Sequence, residues 1–506
     1  MLRRVLPILA ALAIPATAQQ YCDKLMQLKL PDVTIKSAEQ VSAGAFALPG
    51  GRGGSPIVPA FCRAIGFVKP EVNFEVWMPA NWNGKFLMVG NGGLAGTISY
   101  TAMVAPLQRG YATASTDTGH TTDNDAHWAQ GHMERVIDFA HRGVHVTTEA
   151  AKALIQSFYG IAAAHSYFDG CSQGGQEALT EVQRYPNDYD GVIAGDPANY
   201  WTHLYMGGHL WITQALENDP SGYVPASKLP LIGTAVMAAC DALDGIKDGI
   251  LNDPRQCHFD PSTLQCKGVD APDCLTEAQV ATVKKIYQGG KTADGQQIFP
   301  GILPGSEAGQ GGWAAWITGT APGRGSHTTL GMPFLRYVAF EDPNWDFRTF
   351  RFDKTDGFDS DVEFVDYKLG PIFNNINPDL SAFEKHGGKL IQYHGWADPD
   401  ISPLNSVNYY QSVNGKMGDV SGFYRLFMVP GMFHCSGGPG PNTFDTVSAL
   451  EQWVEHGKAP DRIVASGGAV KDRTRPLCPY PQEAQWKGTG STDQEQNFVC
   501  ELPRNR

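Results

Sequence analysis

The stretch Gly170-Cys171-Ser172-Gln173-Gly174-Gly175 determines how the rest of the chain is interpreted. Residues 165–169 before it are short and partly apolar like a strand, and residues 176–184 after it have the composition of a helix that ends before Pro186. A strand, the pattern G-x-S-x-G and a helix, in that order, are typical of a sharp turn that lifts a serine hydroxyl above the edge of a sheet. The glycines are needed because side chains there would clash with the neighbouring strand and helix. The pattern therefore predicts that Ser172 is a nucleophile.

The length and charge of the chain limit its possible functions. A chain of 506 residues can bury a large core and can form more than one domain. Its formal net charge of -13 makes nucleic acid and anionic membrane surfaces unfavourable partners. We therefore expect a protein that binds neither nucleic acid nor a membrane.

The first residues have the composition of a signal peptide. Met1-Leu2-Arg3-Arg4 is basic, residues 5–14 are apolar, and Ala16-Thr17-Ala18 matches the small-residue pattern of a cleavage site. An uncleaved anchor is the alternative, but the apolar stretch is short, and we find no later stretch that approaches about 20 apolar residues. We predict a signal peptide over residues 1–18, a mature chain from Gln19, and export to the periplasm or the extracellular space.

An even number of cysteines, ten in all, predicts disulfide bonds in an exported chain. The sequence alone does not fix the connectivity, and a metal site is a poor alternative because no C-x-x-C pair occurs. Cysteines that are close in sequence suggest the pairs Cys240–Cys257, Cys266–Cys274 and Cys478–Cys500, and then Cys22–Cys62. Cys171 and Cys435 are the two that remain.

The strand and helix pattern on both sides of Ser172 predicts an α/β-hydrolase core. Alternation of strands and helices is regular before residue 198 and returns near 378, whereas residues 198–375 lack it and carry two of the small cysteine loops. We interpret residues 19–197 and 376–506 as the two parts of the core, and 198–375 as an inserted lid domain above the strand ends. The predicted strands are 74–79, 85–89, 111–117, 165–169, 191–195, 389–394 and 424–429, and the helices outside 176–184 are 146–158, 379–386, 403–412 and 443–456.

A glycine-rich loop, residues 90–96, follows the second predicted strand. A phosphate cradle would need G-x-G-x-x-G at the start of a helix, whereas an oxyanion hole needs one exposed N–H beside the nucleophile. The second interpretation fits the serine turn better. We predict that the N–H of Gln173 and one from Gly92 or Gly93 stabilise the oxyanion.

A nucleophilic serine needs a base, and the base needs a carboxylate that orients it. In this fold the chain order is Ser, Asp, His, each on a loop after a strand. Ser172, Asp398 and His434 have both the order and the placement, and Asp400 is the rival orienter, two residues further from its strand.

The two remaining cysteines adjoin two of these residues, since Cys171 precedes Ser172 and Cys435 follows His434. A disulfide brings Cα atoms to about 5.5 Å, so this bond would tie the serine to the histidine. The alternative is two separate buried thiols, which an oxidising compartment disfavours.

The Cys171-Ser172 pair, the Asp398 loop and the His434-Cys435 pair together resemble the tannase and feruloyl esterase family. Further runs that resemble it are 184–186, 190–198 and 394–398, and the likeness covers almost the whole mature chain. The resemblance implies that all ten cysteines pair as set out above, with Cys171 bonded to Cys435. Two positions depart from the family, Gln176 where many members have arginine and Asp196 where alanine is usual, and we expect neither to touch the triad.

The resemblance implies a serine carboxylesterase that acts on an aromatic acyl group: ferulate, gallate or a terephthalate half-ester. A feruloyl esterase or tannase is the first interpretation, and an enzyme similar to mono(2-hydroxyethyl) terephthalate hydrolase is the alternative. A serine peptidase of the same fold and a catalytically silent binding protein are alternatives of other classes. The intact triad argues against the silent protein.

The predicted lid contains a loop, residues 240–250, with three carboxylates within eight residues. Its spacing is not that of an EF-hand, and by composition alone a solvated Asp-Gly turn is the simpler interpretation. The resemblance implies instead a structural calcium ion, because calcium takes six to eight oxygens from carboxylates and carbonyls. The matching positions are Asp241, Asp244 and Asp248, with the carbonyls of Ile246 and Ile250.

Two residues near the Asp398 loop are candidates for the substrate pocket. His394 and Ile401 flank that loop, and for each a place in the core is an equally good interpretation.

Overall fold

A computed structural model describes residues 21–51, 53–94, 96–121, 125–355, 357 and 359–503. The predicted signal peptide lies outside these residues. The strands are β1 (Val33–Val41), β2 (Gly44–Ala45), β3 (Ile57–Val58), β4 (Phe61–Val68), β5 (Val72–Pro79), β6 (Lys85–Val89), β7 (Ala112–Thr116), β8 (His165–Cys171), β9 (Gly191–Gly195), β10 (Lys389–Gly395), β11 (Tyr424–Val429), β12 (Ile463–Ser466), β13 (Thr474–Leu477), β14 (Glu483–Trp486) and β15 (Phe498–Glu501).

The helices lie mostly between the strands of the core and within residues 198–375, which we call the insertion. They are α1 (Tyr100–Gln108), α2 (Met133–Ile137), α3 (Gly143–Tyr159), α4 (Gln173–Arg184), α5 (Trp201–His203), α6 (Trp211–Glu217), α7 (Leu229–Cys240), α8 (Glu277–Gln288), α9 (Trp313–Trp316), α10 (Ser326–Pro333), α11 (Asp361–Phe373), α12 (Ser381–His386), α13 (Pro403–Met417) and α14 (Thr446–His456).

The main sheet has nine strands in the order β1-β4-β5-β7-β6-β8-β9-β10-β11. The pairs from β1 to β7 are antiparallel, and the six strands from β7 to β11 run parallel. Since parallel strands end at the same edge, the loops after β6, β8, β9, β10 and β11 all meet there. This is the predicted α/β-hydrolase fold, and the shared edge brings together residues that are far apart in sequence.

Helices cover both faces of the sheet because its strands are apolar on both faces. Phe86 and Met88 of β6 belong to one hydrophobic cluster, which includes residues of α3, α4 and α13. Leu87 and Val89 belong to another cluster, which includes residues of α1 and α14. The alternation follows from the two-residue period of a strand.

The seven strands predicted from the sequence are present, three of them with the predicted bounds and four with bounds that differ by one or two residues. Two strands of the sheet, β1 and β4, were missed. β1 is an edge strand whose exposed residues alternate with partly buried ones, so its apolar signal is weak. α4 begins at Gln173, three residues earlier than predicted, because Gly174 and Gly175 are part of its first turns.

The insertion joins β9 to β10 and has a hydrophobic cluster of its own. That cluster includes Val236 of α7, Val283 of α8 and Trp313 of α9. Other residues of the insertion, among them Trp201 and Phe334, pack with Ile401 of the core in a separate cluster. The insertion is therefore attached to the core at the strand ends.

Among the described residues, one stretch is apolar and long enough, by length and composition, to cross a membrane, contrary to the sequence prediction. It is Pro220–Asp244. Its continuous α-helix, α7, has only 12 residues and rises about 18 Å, against about 30 Å of hydrocarbon. Ile232 and Val236 are buried in the same hydrophobic cluster as Val283 and Ile286 of α8, and this burial accounts for the apolar composition.

All ten cysteines form disulfide bonds, and the five expected pairs are confirmed. Cys171 and Cys435 are bonded across 264 residues of sequence, with their Cα atoms 6.0 Å apart. They are not separate buried thiols. This bond connects the loop after β8 to the loop after β11.

Candidate active site

Ser172 occupies the sharp turn between β8 and α4. Its backbone has φ 67° and ψ -121°, a conformation that L-residues rarely adopt. A Cβ atom at Gly170 would overlap the backbone of Gly174, and one at Gly175 would overlap the carbonyl oxygen of Gly195. The glycines of the motif are thus required by close backbone approach, as the sequence predicted.

The loop after β6 is fixed to the start of α4 by hydrogen bonds around Glu177. The Gly174 N–H donates to the Asn91 carbonyl (3.0 Å), and the Asn91 N–H donates to Glu177 Oε2 (2.9 Å). The Gln173 side chain donates to Glu177 Oε1 (2.7 Å). Burial raises the pKa of Glu177 to about 7. These bonds keep the Gly92-Gly93 turn beside the serine turn.

The predicted oxyanion donors lie on these two segments. Gln173 is the first residue of α4, so its N–H has no acceptor within the helix. Gly92 is exposed and has open space around it, and Gly93 has a positive φ of 62°. Their role as donors stays a prediction.

His434 is bonded to Asp398. Nδ1 of His434 lies 2.8 Å from Oδ2 of Asp398, which is fully buried at the end of β10. The other oxygen, Oδ1, accepts the N–H of Asp400 (2.7 Å) and of Ile401 (3.0 Å). The carboxylate is thus held by its own loop and can hold the imidazole in one orientation.

Asp400, the rival orienter, lies at the other nitrogen of the histidine. Its Oδ2 is 3.6 Å from Nε2 of His434, on the side where a nucleophile would be deprotonated. Only Asp398 contacts Nδ1 in the described part of the chain. The geometry therefore favours Asp398 as orienter.

Ser172 is held near His434 by the disulfide bond and not by a hydrogen bond. Ser172 and His434 each adjoin one of the bonded residues, Cys171 and Cys435. Nε2 of His434 is buried and has no hydrogen-bond partner among the described residues. Catalytic hydrogen bonds often form only with substrate bound, so this arrangement is compatible with a triad.

Asp196 lies beside the triad, and the expectation that it would not touch the triad is wrong. Its Oδ1 accepts the N–H of Gly395 (2.9 Å), and its Oδ2 accepts the N–H of Cys435. Carboxylate oxygens of Asp196 and Asp398 and a ring nitrogen of His434 lie within 4.8 Å of one another. The reason is topological, because β9 is the neighbour of β10 and Asp196 follows β9 directly.

Asp196 is strained as well as buried, with a positive φ of 35°, and Cys435 has a φ of 59°. Burial raises the pKa of Asp196 to about 6. The other departure from the family pattern, Gln176, donates from its side-chain amide to the Ala140 carbonyl (3.0 Å), and only its backbone N–H contacts the triad, at the Ser172 carbonyl (3.0 Å).

The carboxylates around His434 favour its charged form. Burial lowers the pKa of His434, but the charges of Asp398, Asp400 and Asp196 outweigh it and raise the pKa to about 10. Burial raises the pKa of Asp398, and His434 and His394 outweigh this, so the pKa of Asp398 lies below its usual value. A carboxylate–imidazolium pair is therefore stable at this place.

His394 and Ile401 are core residues. His394 is fully buried, with Nε2 3.2 Å from Asp398 Oδ2 and Nδ1 2.7 Å from Ser406 Oγ. Ile401 is 1% exposed and packs in the cluster shared with the insertion. His394 therefore contacts Asp398 from within the core. Of the two interpretations that the sequence left open, a place in the substrate pocket and a place in the core, this agrees with the second.

Three residues of the insertion reach the site and were missed in the sequence. The ring of Trp316 lies edge-on to His434, with centroids 4.7 Å apart. His209 and His327 lie against Asp400 at 2.9 Å and 3.3 Å. The insertion has no periodic pattern from which these contacts could be inferred.

The carboxylate loop of the insertion is tightly turned. Asp241 is buried, and its Oδ1 accepts the N–H of Asp248 (3.2 Å) and Gly249 (3.0 Å). Oδ2 of Asp248 is paired with Arg475 at 2.7 Å. Burial and the charges of Asp248 and Asp241 raise the pKa of Asp244 to about 6. The loop therefore concentrates negative charge and oxygen donors.

Comparison with known proteins gives consistent matches. The family model "Tannase and feruloyl esterase" matches residues 57–501. An uncharacterized esterase of Xanthomonas campestris pv. campestris is 39% identical over 99% of this chain and 94% of its own length. The mono(2-hydroxyethyl) terephthalate hydrolase of Piscinibacter sakaiensis is 36% identical over 86% and 82%. The crystal structure of feruloyl esterase B from Aspergillus oryzae superimposes with a TM-score of 0.85 at 31% identity, over 95% of this chain and 99% of that one.

Proposed function

Because the chain belongs to the tannase and feruloyl esterase family and is a carboxylic ester hydrolase, we propose that it cleaves esters of aromatic acids with a triad of Ser172, His434 and Asp398. One observation carries the proposal. Asp398 holds Nδ1 of His434 at 2.8 Å, and the Cys171–Cys435 bond holds Ser172 next to that histidine.

The first half of the reaction forms an acyl-enzyme. His434 takes the proton of Ser172 through Nε2 as Oγ attacks the ester carbonyl, and Asp398 stabilises the imidazolium. The N–H of Gln173 and one from Gly92 or Gly93 stabilise the negative oxygen. Nε2 then gives the proton to the departing alcohol. Water repeats the sequence on the acyl-enzyme and releases the acid.

The aromatic acyl group is supported by the names of the relatives, which include feruloyl esterases and mono(2-hydroxyethyl) terephthalate hydrolase. Trp316 supports it from the structure, since an indole beside His434 offers an apolar surface to a ring. A terephthalate half-ester is the second candidate, because the Piscinibacter sakaiensis hydrolase is 36% identical.

We also propose that the insertion is a lid domain and that the enzyme is exported. Trp316, His209 and His327 of the insertion all lie within contact of His434 or Asp400 of the core, which supports a lid over the site. Five disulfide bonds and the leader-like residues 1–18 support export to an oxidising compartment.

A structural calcium ion in the insertion is a further part of the proposal. The support is chemical, because Asp241, Asp244 and Asp248 supply hard oxygens on one short loop, while Asp248 is also paired with Arg475. Positive φ at Gly245 (93°) and Gly249 (79°) turns the backbone so that the carbonyls of Ile246 and Ile250 can complete the set. The ion would stabilise the insertion and would take no part in the reaction.

The test is an assay panel on the wild-type enzyme, Ser172→Ala and the exposed-serine control Ser491→Ala. Feruloyl, galloyl and terephthaloyl esters are compared with a peptide substrate. We expect wild type and Ser491→Ala to cleave aromatic esters and not the peptide, and Ser172→Ala to be folded and inactive. Activity of Ser172→Ala above a few per cent of wild type would place the nucleophile elsewhere.

A further inference from the structure

A second cluster of ionisable side chains lies against the triad and has no role in the reaction as described so far. It consists of Asp400 after β10 and of His209 and His327 from the insertion, all three more than nine-tenths buried. One ligand atom from each lies within 4.8 Å of the others. Burial of three ionisable groups costs free energy, so their position beside His434 needs an explanation.

His209 is hydrogen-bonded to one oxygen of Asp400, and His327 lies within ion-pair distance of the same oxygen. Nε2 of His209 lies 2.9 Å from Oδ1, and Nε2 of His327 lies 3.3 Å from the same atom. The two rings are stacked, with centroids 4.4 Å apart and planes at 17°. Because His209 is hydrogen-bonded to Oδ1, the cluster can orient the carboxylate of Asp400. Burial raises the pKa of Asp400, and the histidines outweigh this and hold it well below its usual range, so the group is ionised.

The other oxygen of Asp400 faces the reaction centre. Oδ2 is 3.6 Å from Nε2 of His434 and makes no hydrogen bond to any residue that the structure describes. A water oxygen about 2.8 Å from each of these atoms would subtend an angle of about 80° between them, within the range of water hydrogen bonding. One water can therefore give a proton to Nε2 while its other hydrogen points at Oδ2.

We propose that Asp400 is a further catalytic residue, which binds the attacking water during hydrolysis of the acyl-enzyme. This inference rests on the proposed acyl-enzyme mechanism. The water oxygen bonds to the acyl carbon as one proton passes to Nε2 of His434, and Oδ2 of Asp400 accepts a hydrogen bond from the second O–H. The C–Oγ bond to Ser172 then breaks, the proton on Nε2 returns to Oγ, and the acid leaves with the water oxygen and its second hydrogen.

The proposed role is specific to deacylation. During acylation the leaving alcohol occupies the position of the water, and its oxygen carries a carbon in place of the second hydrogen. Asp400 then has no O–H to accept from that atom. Loss of the carboxylate should therefore slow deacylation more than acylation.

Asp400→Asn is the variant that separates the two steps. In this variant the N–H of His209 donates to the side-chain oxygen of the asparagine, so the amide NH₂ faces the reaction centre. The hydrogen-bond acceptor at that position is thus replaced by a donor. Asp188→Asn is the matched control, since it removes the carboxylate of another His–Asp pair (His145 Nδ1 to Asp188 Oδ2, 2.6 Å) beyond the far end of α4.

The experiment uses rapid mixing with a 4-nitrophenyl ester and mass spectrometry of acid-quenched enzyme. For Asp400→Asn we expect a burst of about one 4-nitrophenolate per enzyme, an acyl group on Ser172, and kcat lower by about tenfold or more. kcat/KM, which reports acylation, should fall by less than about threefold. Asp188→Asn should behave as wild type.

Equal losses in kcat and kcat/KM with no acylated Ser172 in the variant would overturn the inference. If Asp400→Asn melts at a lower temperature than wild type, His209→Gln is measured in the same way. In His209→Gln we expect acyl-enzyme to accumulate as well, but to a smaller extent. If no acyl-enzyme accumulated in His209→Gln, that result would also overturn the inference. Failure of the proposed function can be told apart from failure of this inference. If the proposed function were wrong, wild type would show no acyl-Ser172 and Ser172→Ala would remain active.

Discussion

His434 lies among three carboxylates, and each has a different place around it. Asp398 contacts Nδ1, Asp400 lies near Nε2, and Asp196 accepts the N–H of the next residue, Cys435. All three stabilise the imidazolium, which is the charge that forms when the serine or the water is deprotonated. The same charges raise the pKa of His434, so at low pH a larger fraction of the imidazole is protonated and cannot act as a base.

The pH dependence of activity should show this raised pKa. The base must be neutral in the free enzyme, so kcat/KM should rise with pH through a midpoint above the ordinary histidine value of about 6.5. Asp400→Asn removes one carboxylate and should move the midpoint to lower pH, whereas Asp188→Asn should not move it. Measurement of kcat/KM between about pH 5 and pH 10 tests this, and a midpoint at or below 6.5 in wild type would contradict it.

The same shift affects stability in the opposite direction. Because the pKa of His434 is higher in the folded than in the unfolded chain, its stabilising contribution is complete below about pH 6.5 and is lost as pH rises through the folded value of about 10. Activity should thus increase over a range of pH in which this contribution to stability decreases.

The two aspartates of the loop after β10 should differ when each is changed to asparagine. Asp398→Asn removes the charge at Nδ1 and favours the wrong tautomer, so kcat/KM should fall on the order of ten-thousandfold. Asp400→Asn should change kcat/KM by less than about threefold, since it leaves the contact at Nδ1 intact. Assay of both variants at a pH above the midpoint of each profile decides the matter, and the reverse ranking would make Asp400 the orienter.

At the scale of single residues, sequence reasoning worked where a residue follows a strand. Ser172, Asp398 and His434 each lie in the turn or loop that follows a strand of the parallel sheet, and chain order then assigns them. Asp196 also follows a strand, but its contact with Cys435 depends on which strands are neighbours. Trp316, His209 and His327 come from irregular structure, whose packing no local pattern encodes.

At the scale of elements, the serine turn and the loop after β11 are joined by a covalent bond. The turn is rigid because Ser172 has a positive φ and Gly170 and Gly175 allow no side chain. The loop after β11 carries strain at Cys435, which also has a positive φ. The disulfide bond therefore connects two segments whose backbones are already constrained, and it sets the distance between nucleophile and base.

Loss of this bond should affect catalysis more than folding. In Cys171→Ala/Cys435→Ala, both loops keep their charges and neighbours but lose the connection, and a displacement of about 1 Å can cost on the order of a hundredfold in rate. Kinetics and thermal melting of the double variant are compared with those of Cys266→Ala/Cys274→Ala. The second pair lies within the insertion and should leave kcat/KM near wild type. Equal activity of the two double variants would show that the bond at the active site has no catalytic role.

The strands that were predicted are mostly buried on both faces, but burial alone was not sufficient, because β4 is also largely buried and was missed. β6, β9 and β10 are short apolar runs between turn residues, and their bounds agree with the pattern. β1 was not recognised because only one of its faces meets the core, and polar residues such as Lys36 and Glu39 interrupt the run. The antiparallel part of the sheet is therefore the less predictable part.

At the scale of the whole molecule, the site forms where the insertion meets the loops of the core, beside a hydrophobic cluster to which both contribute. Core loops supply Ser172, Asp398 and His434, and the insertion supplies Trp316 and the histidines against Asp400. A change that loosens the insertion should therefore weaken substrate capture without removing the nucleophile or its base. The carboxylate loop offers a way to make such a change at a distance from the triad.

Removal of calcium should lower the melting temperature and raise KM, with a smaller effect on kcat. An ion that binds only the folded protein stabilises it by about 2.7 kcal/mol at a hundredfold excess over its dissociation constant, and a chelator removes that contribution. Asp244→Ala should reproduce the effect of the chelator and abolish any further response to it. Asp273→Ala, which changes an exposed carboxylate elsewhere in the insertion, should melt and respond as wild type does. Calcium absent by elemental analysis of the purified enzyme, together with melting that a chelator does not change, would return the loop to a solvated turn closed by the Cys240–Cys257 bond.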